Sequence, residues 1–279
     1  IESMLMSYAR KAENVPSSFR GAELGRRRLK PTKDSHDLHE SKGLCFSWST
    51  DSIWIVGLIV LALLPRLDYL LQPNFVLDAD EAIVGLMAKH ILEGKTLPVF
   101  YYGQHYMGSL EAFIAASFFW LWGISALTLK CVPLLFSILL VPIAYLSGLA
   151  LGSRVAGRIA ALLIAIPPAT LLVWSSKARG GFVEVVVLGG LALLLTCHWL
   201  KEDHPGTTRV FLIGLVLGIA WWVNNQAIYF MLPIGCAVLS RLLQVCMLSI
   251  MQRVAQLFVF FIVGVIGWLL GGAPYWWYN

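Results

Sequence analysis

The chain has 279 residues, of which 58% are hydrophobic and only 13% are charged, whereas an ordinary soluble domain has about 25% charged residues. From Ser52 onward, apolar runs follow one another with short polar breaks, a pattern typical of a protein that uses lipid as its solvent. These proportions exclude soluble enzymes, secreted modules and disordered proteins. They predict an all-α, multi-pass membrane protein.

The charge balance is basic, with 21 Lys and Arg against 16 Asp and Glu. Outside the N-terminal segment these cations stand singly between apolar runs. Their placement therefore indicates orientation by the positive-inside rule and no nucleic-acid partner. The five cysteines include no CxxC pair, so we expect neither a disulfide framework nor a zinc site.

Residues 1–51 hold nine Lys and Arg and seven Asp and Glu. This composition predicts a cytoplasmic, largely disordered basic tail. Residues 52–279 are predicted to form the membrane domain. Because the chain begins with Ile1 and stops just after an apolar run, we expect a fragment truncated at its C-terminus.

The topology depends on whether residues 108–123 span the membrane. If they lie on the outer surface, most later cations fall on the cytoplasmic side, which fits the positive-inside rule better than the alternative in which they span. We therefore predict an interfacial helix there and about seven transmembrane helices, with a cytoplasmic N-terminus and an outer C-terminus. The seven predicted runs are 52–71, 128–150, 157–174, 183–200, 210–223, 227–243 and 254–271.

The first outer loop, residues 72–127, contains a second predicted interfacial helix. From Glu81 on, apolar residues recur at spacings of three and four, which predicts an amphipathic helix lying on the membrane. Gly94 is placed to end this helix in a left-handed conformation.

Three acids in four residues open this helix. In one interpretation Asp78 caps the helix and Glu81 completes a capping box, with Asp80 a favourable first-turn charge. In the other, the acids share their site with a cation or a substrate, because three neighbouring carboxylates repel one another. The cation would be a divalent metal, or a Lys or Arg from another loop. We predict a functional role for Asp80 above all.

Further candidate residues follow in the two outer loops. Tyr102, Gln104, His105 and Glu111 combine aromatic rings with polar groups, as sugar sites do, although an aromatic belt at the membrane interface has similar rings. Lys177 and Arg179 are cations on the acid-rich side, where they would bind a phosphate or form salt bridges to the loop acids or to lipid headgroups.

At these residues the sequence resembles the GT-C superfamily of membrane glycosyltransferases, from about Ser52 to the end. It is most similar to the bacterial members related to protein O-mannosyltransferases, the aminoarabinose transferase of lipid A and the RgtA/B/C/D-like domain. Four segments carry the resemblance: Asp80-Glu81-Ala82, Tyr102-Gly103-Gln104 to Glu111, Lys177-Ala178-Arg179, and Gly272-Ala273-Pro274 to Asn279.

The resemblance implies a GT-C core with two surface helices in its first outer loop. It also implies a polyprenyl-phosphate sugar donor and a lipid, glycan or protein acceptor on the outer face of the plasma membrane, the inner membrane of a bacterium. Asp80 would act as the base in an inverting transfer, Glu81 would orient Asp80 or the acceptor, and Lys177 with Arg179 would hold the phosphate.

The sequence leaves a divalent metal at Asp78 and Asp80 open. Gly180-Gly181 stands where many relatives carry an Asp, and Glu184 would substitute for it. The main rival function is a multi-pass transporter or channel, which predicts ionisable residues in the middle of helices. The near absence of charge from the apolar runs favours the enzyme.

Overall fold

The computed structural model describes residues 46–71, 77–202, 206–244 and 250–278. These residues form helices joined by short turns, and the β-pairing among them is limited to isolated bridges. The predicted all-α fold is confirmed. Residues 1–45 of the predicted tail lie outside the described residues. The helices are α1 (Trp48–Leu70), α2 (Ala79–Leu92), α3 (Leu110–Trp122), α4 (Ala126–Leu151), α5 (Arg154–Ala165), α6 (Ala169–Trp174), α7 (Phe182–Leu200), α8 (Thr207–Val223), α9 (Ile228–Gln244), α10 (Ile250–Gly271) and α11 (Ala273–Tyr278), with a 3₁₀ turn at Asn225–Ala227.

Four of these helices, α1, α4, α7 and α10, are long and apolar enough to cross a membrane. They support a multi-pass membrane protein. The other three predicted spans are shorter or interrupted. Helices α8 and α9 have 17 residues each, which makes them about 25 Å long against a hydrocarbon core of about 30 Å. The count of seven spans stays a prediction.

The predicted run 157–174 is two helices instead of one. Helix α5 ends at Ala165, and α6 begins only at Ala169. Pro167 and Pro168 lie between them. Proline has no N–H to donate and disfavours a helical conformation in the residue before it. The run is apolar as predicted, but two consecutive prolines prevent a continuous helix.

At its N-terminal end the membrane domain starts earlier than the predicted boundary at residue 52. Helix α1 begins at Trp48 and includes Asp51, which is fully buried. Its carboxylate accepts hydrogen bonds from the Ser47 N–H at 2.6 Å and from the Tyr145 hydroxyl at 2.8 Å. Asp51 is therefore part of the helix bundle, and its assignment to the tail was wrong.

Helix α3 has 13 residues, which makes it about 20 Å long. It is too short to cross the hydrocarbon core, and this length supports the prediction that 108–123 does not span. Helix α2 packs against α3, with Val84, Met87 and Ala88 buried in the cluster that both helices share with α4 and α7. The predicted apolar face of α2 exists and contacts protein, while the position of α2 on the membrane stays a prediction.

Glycine permits the closest helix contact in the described bundle, between α8 and α10. A Cβ on Gly214 would lie 2.1 Å from the Gly264 carbonyl oxygen, and a Cβ on Gly218 would lie 2.1 Å from the Trp268 carbonyl oxygen. Both distances are far inside van der Waals contact, so any larger side chain would push the helices apart. The small-residue spacing of α8 thus sets the distance between two helix backbones.

Candidate active site

The acidic turn before α2 is a helix cap. An Asp78 carboxylate oxygen accepts the Glu81 N–H at 3.0 Å, and a Glu81 carboxylate oxygen accepts the Asp78 N–H at 3.2 Å. This reciprocal pair is the capping box that the first interpretation of the acids predicted,. The local sequence alone accounts for it.

Asp78 also binds both cations of the loop between α6 and α7. Its Oδ2 atom accepts hydrogen bonds from Lys177 Nζ at 3.0 Å and from Arg179 Nε at 2.9 Å, and Arg179 Nη2 contacts the same oxygen. Burial alone would raise the pKa of Asp78, but these hydrogen bonds and that from the Glu81 N–H outweigh it and hold the pKa well below its usual range,. The predicted salt bridge to the loop acids is therefore present.

The side chains of Lys177 and Arg179 place two positive charges beside the single carboxylate of Asp78. The Lys177, Arg179 and Asp78 side chains are 18%, 24% and 28% exposed, so the cluster is open to solvent on one side. The Arg179 guanidinium also lies 5.1 Å from the centre of the Trp174 ring, which restrains its position. An anion that reaches this edge meets two fixed cations, of which Asp78 neutralises one.

Glu81 is fully buried and has three partners. Besides capping Asp78, it accepts the Ala178 N–H at 3.2 Å and lies 3.0 Å from Lys130 Nζ on α4. It joins the start of α2 to α4 and to the second outer loop. Its predicted role in orienting Asp80 or an acceptor has no direct contact to support it, because its carboxylate points into the protein.

Lys130 was missed by sequence reasoning, although a signal for it was present. It is 1% exposed and stands alone in the apolar run 128–150. A lone ionisable residue in such a run needs a buried partner. An acid in an outer loop was the natural candidate, since Lys130 lies near the outer end of that run.

Asp80 differs from both neighbouring acids because its side chain is exposed. Within the described part of the chain, its carboxylate forms neither a hydrogen bond nor an ion pair. Its main-chain oxygen accepts the Tyr101 hydroxyl at 3.1 Å, which fixes the backbone. Burial, followed by repulsion from Asp80 and Glu111, raises the pKa of Tyr101 to about 12, so this donor keeps its proton. Asp80 is therefore an exposed carboxylate on a fixed backbone. The hydrogen bond to Asp78 first, and the charge of Asp80 among others, raise the pKa of Arg179.

Glu111 and Glu184 lie below this surface and are both buried. One oxygen of Glu111 accepts the N–H groups of Gly180 and Gly181 at 2.6 and 3.2 Å. Burial first, then the charge of Glu184, raises the pKa of Glu111 well above its usual range. Both side chains are buried, and their predicted contact with substrate stays a prediction. Glu111 fixes the loop that follows Arg179.

The remaining predicted sugar-binding residues face other partners. The Tyr102 hydroxyl lies 3.0 Å from His90 Nδ1 and 2.9 Å from Thr96 Oγ1. His105 is exposed and stacks on Tyr278 with ring centres 5.7 Å apart. Gln104 is half-buried, and its Oε1 atom accepts no hydrogen bond in the described part of the chain. These side chains lie on the loop beside the acids, and in the described part of the chain their hydrogen bonds and ring contacts are with other groups, so their sugar-binding role stays a prediction.

The predicted metal at Asp78 and Asp80 does not fit the residues present. One Asp78 oxygen accepts a hydrogen bond from a backbone N–H group, and the other accepts hydrogen bonds from two cations. Both oxygens that would bind the metal are therefore already occupied by donors. No group of three or more metal-ligating side chains occurs in the described ranges. Hard cations such as Mg²⁺ and Ca²⁺ need a larger oxygen set than this turn offers.

Comparison of the chain with family models, with curated proteins and with solved structures gives no match.

Proposed function

We propose that this chain is a membrane glycosyltransferase that moves a sugar from a polyprenyl-phosphate donor to a hydroxyl group of a lipid, glycan or protein acceptor on the outer membrane face. The observation that carries the proposal is the placement of Asp80, an exposed and unpaired carboxylate, two residues from Asp78 and its two cations. A base and an anion site side by side are what such a transfer needs.

The reaction uses these groups in a defined order. The acceptor hydroxyl gives its proton to the Asp80 carboxylate as its oxygen attacks the anomeric carbon. The bond from that carbon to the phosphate oxygen breaks, and the departing phosphate keeps the electron pair. Lys177 and Arg179 stabilise its negative charge,. Attack opposite the leaving group inverts the anomeric centre.

Arg179 is suited to hold the phosphate, because its guanidinium has donors in a planar fork and it is already restrained by Trp174,. A phosphate that enters here competes with Asp78 for the two cations. In this proposal Asp78 holds the cations in place before the donor binds. Its contribution is positioning, while Asp80 takes part in the chemistry.

The experiment measures sugar transfer in membrane vesicles from cells that express the whole reading frame, offered a panel of radiolabelled polyprenyl-phosphate sugars. We expect label to move into lipid, glycan or protein with the parent, and transfer to fall by about 10²–10⁴-fold with Asp80→Asn, the usual contribution of a general base. Lys89→Met, a change at an exposed lysine of α2, is the matched control and should keep full activity. If the Asp80→Asn variant transfers sugar as well as the parent, Asp80 only provides a favourable negative charge in the first turn of α2.

A transporter or channel remains the second candidate, and one observation favours it. Arg66 and Lys130 are buried within the long apolar helices α1 and α4, whereas the sequence suggested that these helices are nearly free of charge. Buried ionisable groups in a membrane helix often mark a transport path. Here Arg66 donates to Ser137 and to main-chain oxygens of Ala62, Ile164 and Ala165, which favours a structural role. Uptake of a labelled solute by the vesicles, without any transfer of sugar, would favour the transporter.

A further inference from the structure

Three carboxylate oxygens at the starts of α3 and α7 are buried and accept no hydrogen bond within the described residues. Glu111 and Glu184 are 1% and 0% exposed. The free Oε1 atom of Glu111 and both oxygens of Glu184 accept no hydrogen bond of standard geometry in the described part of the chain. The donors nearest to Glu184 are the N–H groups of Val183 and of Glu184 itself, at the start of α7. A buried, unpaired carboxylate costs far more free energy than a buried neutral polar group, so something must compensate for these oxygens.

The charged groups around Glu111 and Glu184 include one buried lysine among several acids. Helix α2 contributes Glu81, which repels Glu111, and α4 contributes Lys130, which lies 3.0 Å from Glu81. The loop before α3 contributes the Tyr101 hydroxyl. Lys130 supplies one positive charge against three carboxyl groups, namely those of Glu81, Glu111 and Glu184. Lys177 and Arg179 are bound to Asp78.

We propose that Glu111 and Glu184 form a buried proton-binding site in which the two carboxyl groups share one proton at neutral pH. A protonated carboxyl group donates its O–H to the other carboxylate, so the proton gives a partner to two of the three free oxygens and removes one negative charge. Two carboxyl groups that share a low-dielectric site cannot both ionise without strong repulsion. A proton is also the ligand that needs the least space, which suits a pair enclosed by the bundle.

The shared proton affects the candidate active site through the backbone of the loop that follows Arg179. The second oxygen of Glu111 holds the N–H groups of Gly180 and Gly181, whose φ angles are +81° and +92°. These are left-handed conformations that glycine adopts readily, and they directly follow Arg179. Loss of the proton would leave both carboxyl groups negatively charged, and their repulsion would act against the present position of Glu111 and of the loop that it holds. The proton therefore stabilises the position of Arg179.

The direction of the pH dependence follows from the raised pKa of Glu111. An unfolded chain releases this proton near the ordinary value of 4.5, whereas the folded chain keeps it to higher pH. The folded state thus binds more protons between the two values. Its stability is greatest below the ordinary value and is lost as the pH rises through the raised one.

Infrared spectroscopy tests the site directly, and its result does not depend on whether the chain transfers sugar. In purified protein in lipid nanodiscs, we expect a carbonyl band of a protonated carboxyl group at neutral pH, which shifts in D₂O and disappears as the pH is raised. The parent protein alone provides this titration, so the test does not depend on the folding of a variant.

Variants then assign the band. Glu111→Gln with Glu184→Gln keeps the volume of both side chains, and we expect the double variant to lose the band and the fall in thermal stability at high pH. Glu93→Gln, at an exposed glutamate beside Lys95, is the matched control and should retain both. Absence of the band in the parent at neutral pH, or its persistence in the double variant, would overturn the proposal. Detection of a stoichiometric metal ion at the pair in place of the proton would also overturn it.

Discussion

Glu81 combines two tasks at the scale of a single residue. It caps a helix, a role that any surface glutamate at this position could fill, and it also anchors Lys130 in the interior. Removing one member of a buried ion pair leaves the other charge without compensation, which costs about 3–5 kcal/mol. Removing one partner of this pair is therefore more destabilising than losing the cap, which costs about 1 kcal/mol.

We predict that Lys130→Met lowers the free energy of unfolding by about 3–5 kcal/mol, because Glu81 is then buried as an unpaired anion. Adding Glu81→Gln to Lys130→Met should recover a large part of the loss, since it removes the stranded charge and keeps the side-chain volume. Denaturant unfolding in detergent, followed by circular dichroism, measures all three proteins.

The matched control for this prediction is Lys95→Met. Lys95 lies 2.6 Å from Glu93, but the two side chains are 61% and 33% exposed, and exposed pairs add little stability. Its unfolding midpoint should equal that of the parent. Equal midpoints for Lys130→Met and Lys95→Met would show that the buried pair does not stabilise the fold.

The sequence predicted local residue contacts and missed distant ones, for a physical reason. The Asp78 and Glu81 capping box depends on four consecutive residues, and the left-handed Gly94, with a φ angle of +68°, depends on the end of one helix. The pair of Lys130 and Glu81 joins two elements whose packing no spacing rule fixes. For the same reason the sequence showed that Glu111 and Glu184 are unusual acids but not that they are buried together.

At the scale of an element, periodicity reveals which face of a helix is apolar but not what covers it. The α2 face was predicted correctly, whereas its contact with α3 required the tertiary structure. Composition likewise marked residues 157–174 as apolar, and the break at Pro167 and Pro168 comes from backbone chemistry within the run. Length is the weakest inference, since α8 and α9 are shorter than a typical span.

The contact between α8 and α10 gives a prediction at the same scale. We expect Gly214→Ala to destabilise the protein by about 1–3 kcal/mol, the usual cost of overpacking, because the new Cβ would lie 2.1 Å from the Gly264 carbonyl oxygen. Gly235→Ala in α9, where no atom lies within 4 Å of the added Cβ, is the control. Thermal unfolding monitored by size-exclusion chromatography compares the two. If both variants behave like the parent, the two helices do not approach as closely as described.

At the scale of the whole molecule, the site works only if its parts lie on one side of the membrane. The acidic turn before α2 and the cations after α6 are joined by the ion pairs of Asp78. Both loops must therefore be outside, or both inside. In the predicted topology either arrangement of residues 108–123 keeps the loop before α3 outside. If α4 and the run of α5 and α6 each cross the membrane, as the sequence predicts, only a non-spanning α3 places the Lys177 loop there as well.

That argument yields a decisive labelling experiment. In a variant whose five cysteines are replaced by serine, we expect Lys95→Cys to react with a membrane-impermeant maleimide added outside intact cells, because both arrangements place it there. Lys201→Cys, exposed at the end of α7, should react only after the membrane is permeabilised if α3 does not span. External labelling of Lys201→Cys would mean that the Lys177 loop is cytoplasmic, either because α3 spans or because α5 and α6 together do not. Because the Asp78 ion pairs require both loops on one side, that result would contradict the candidate active site itself.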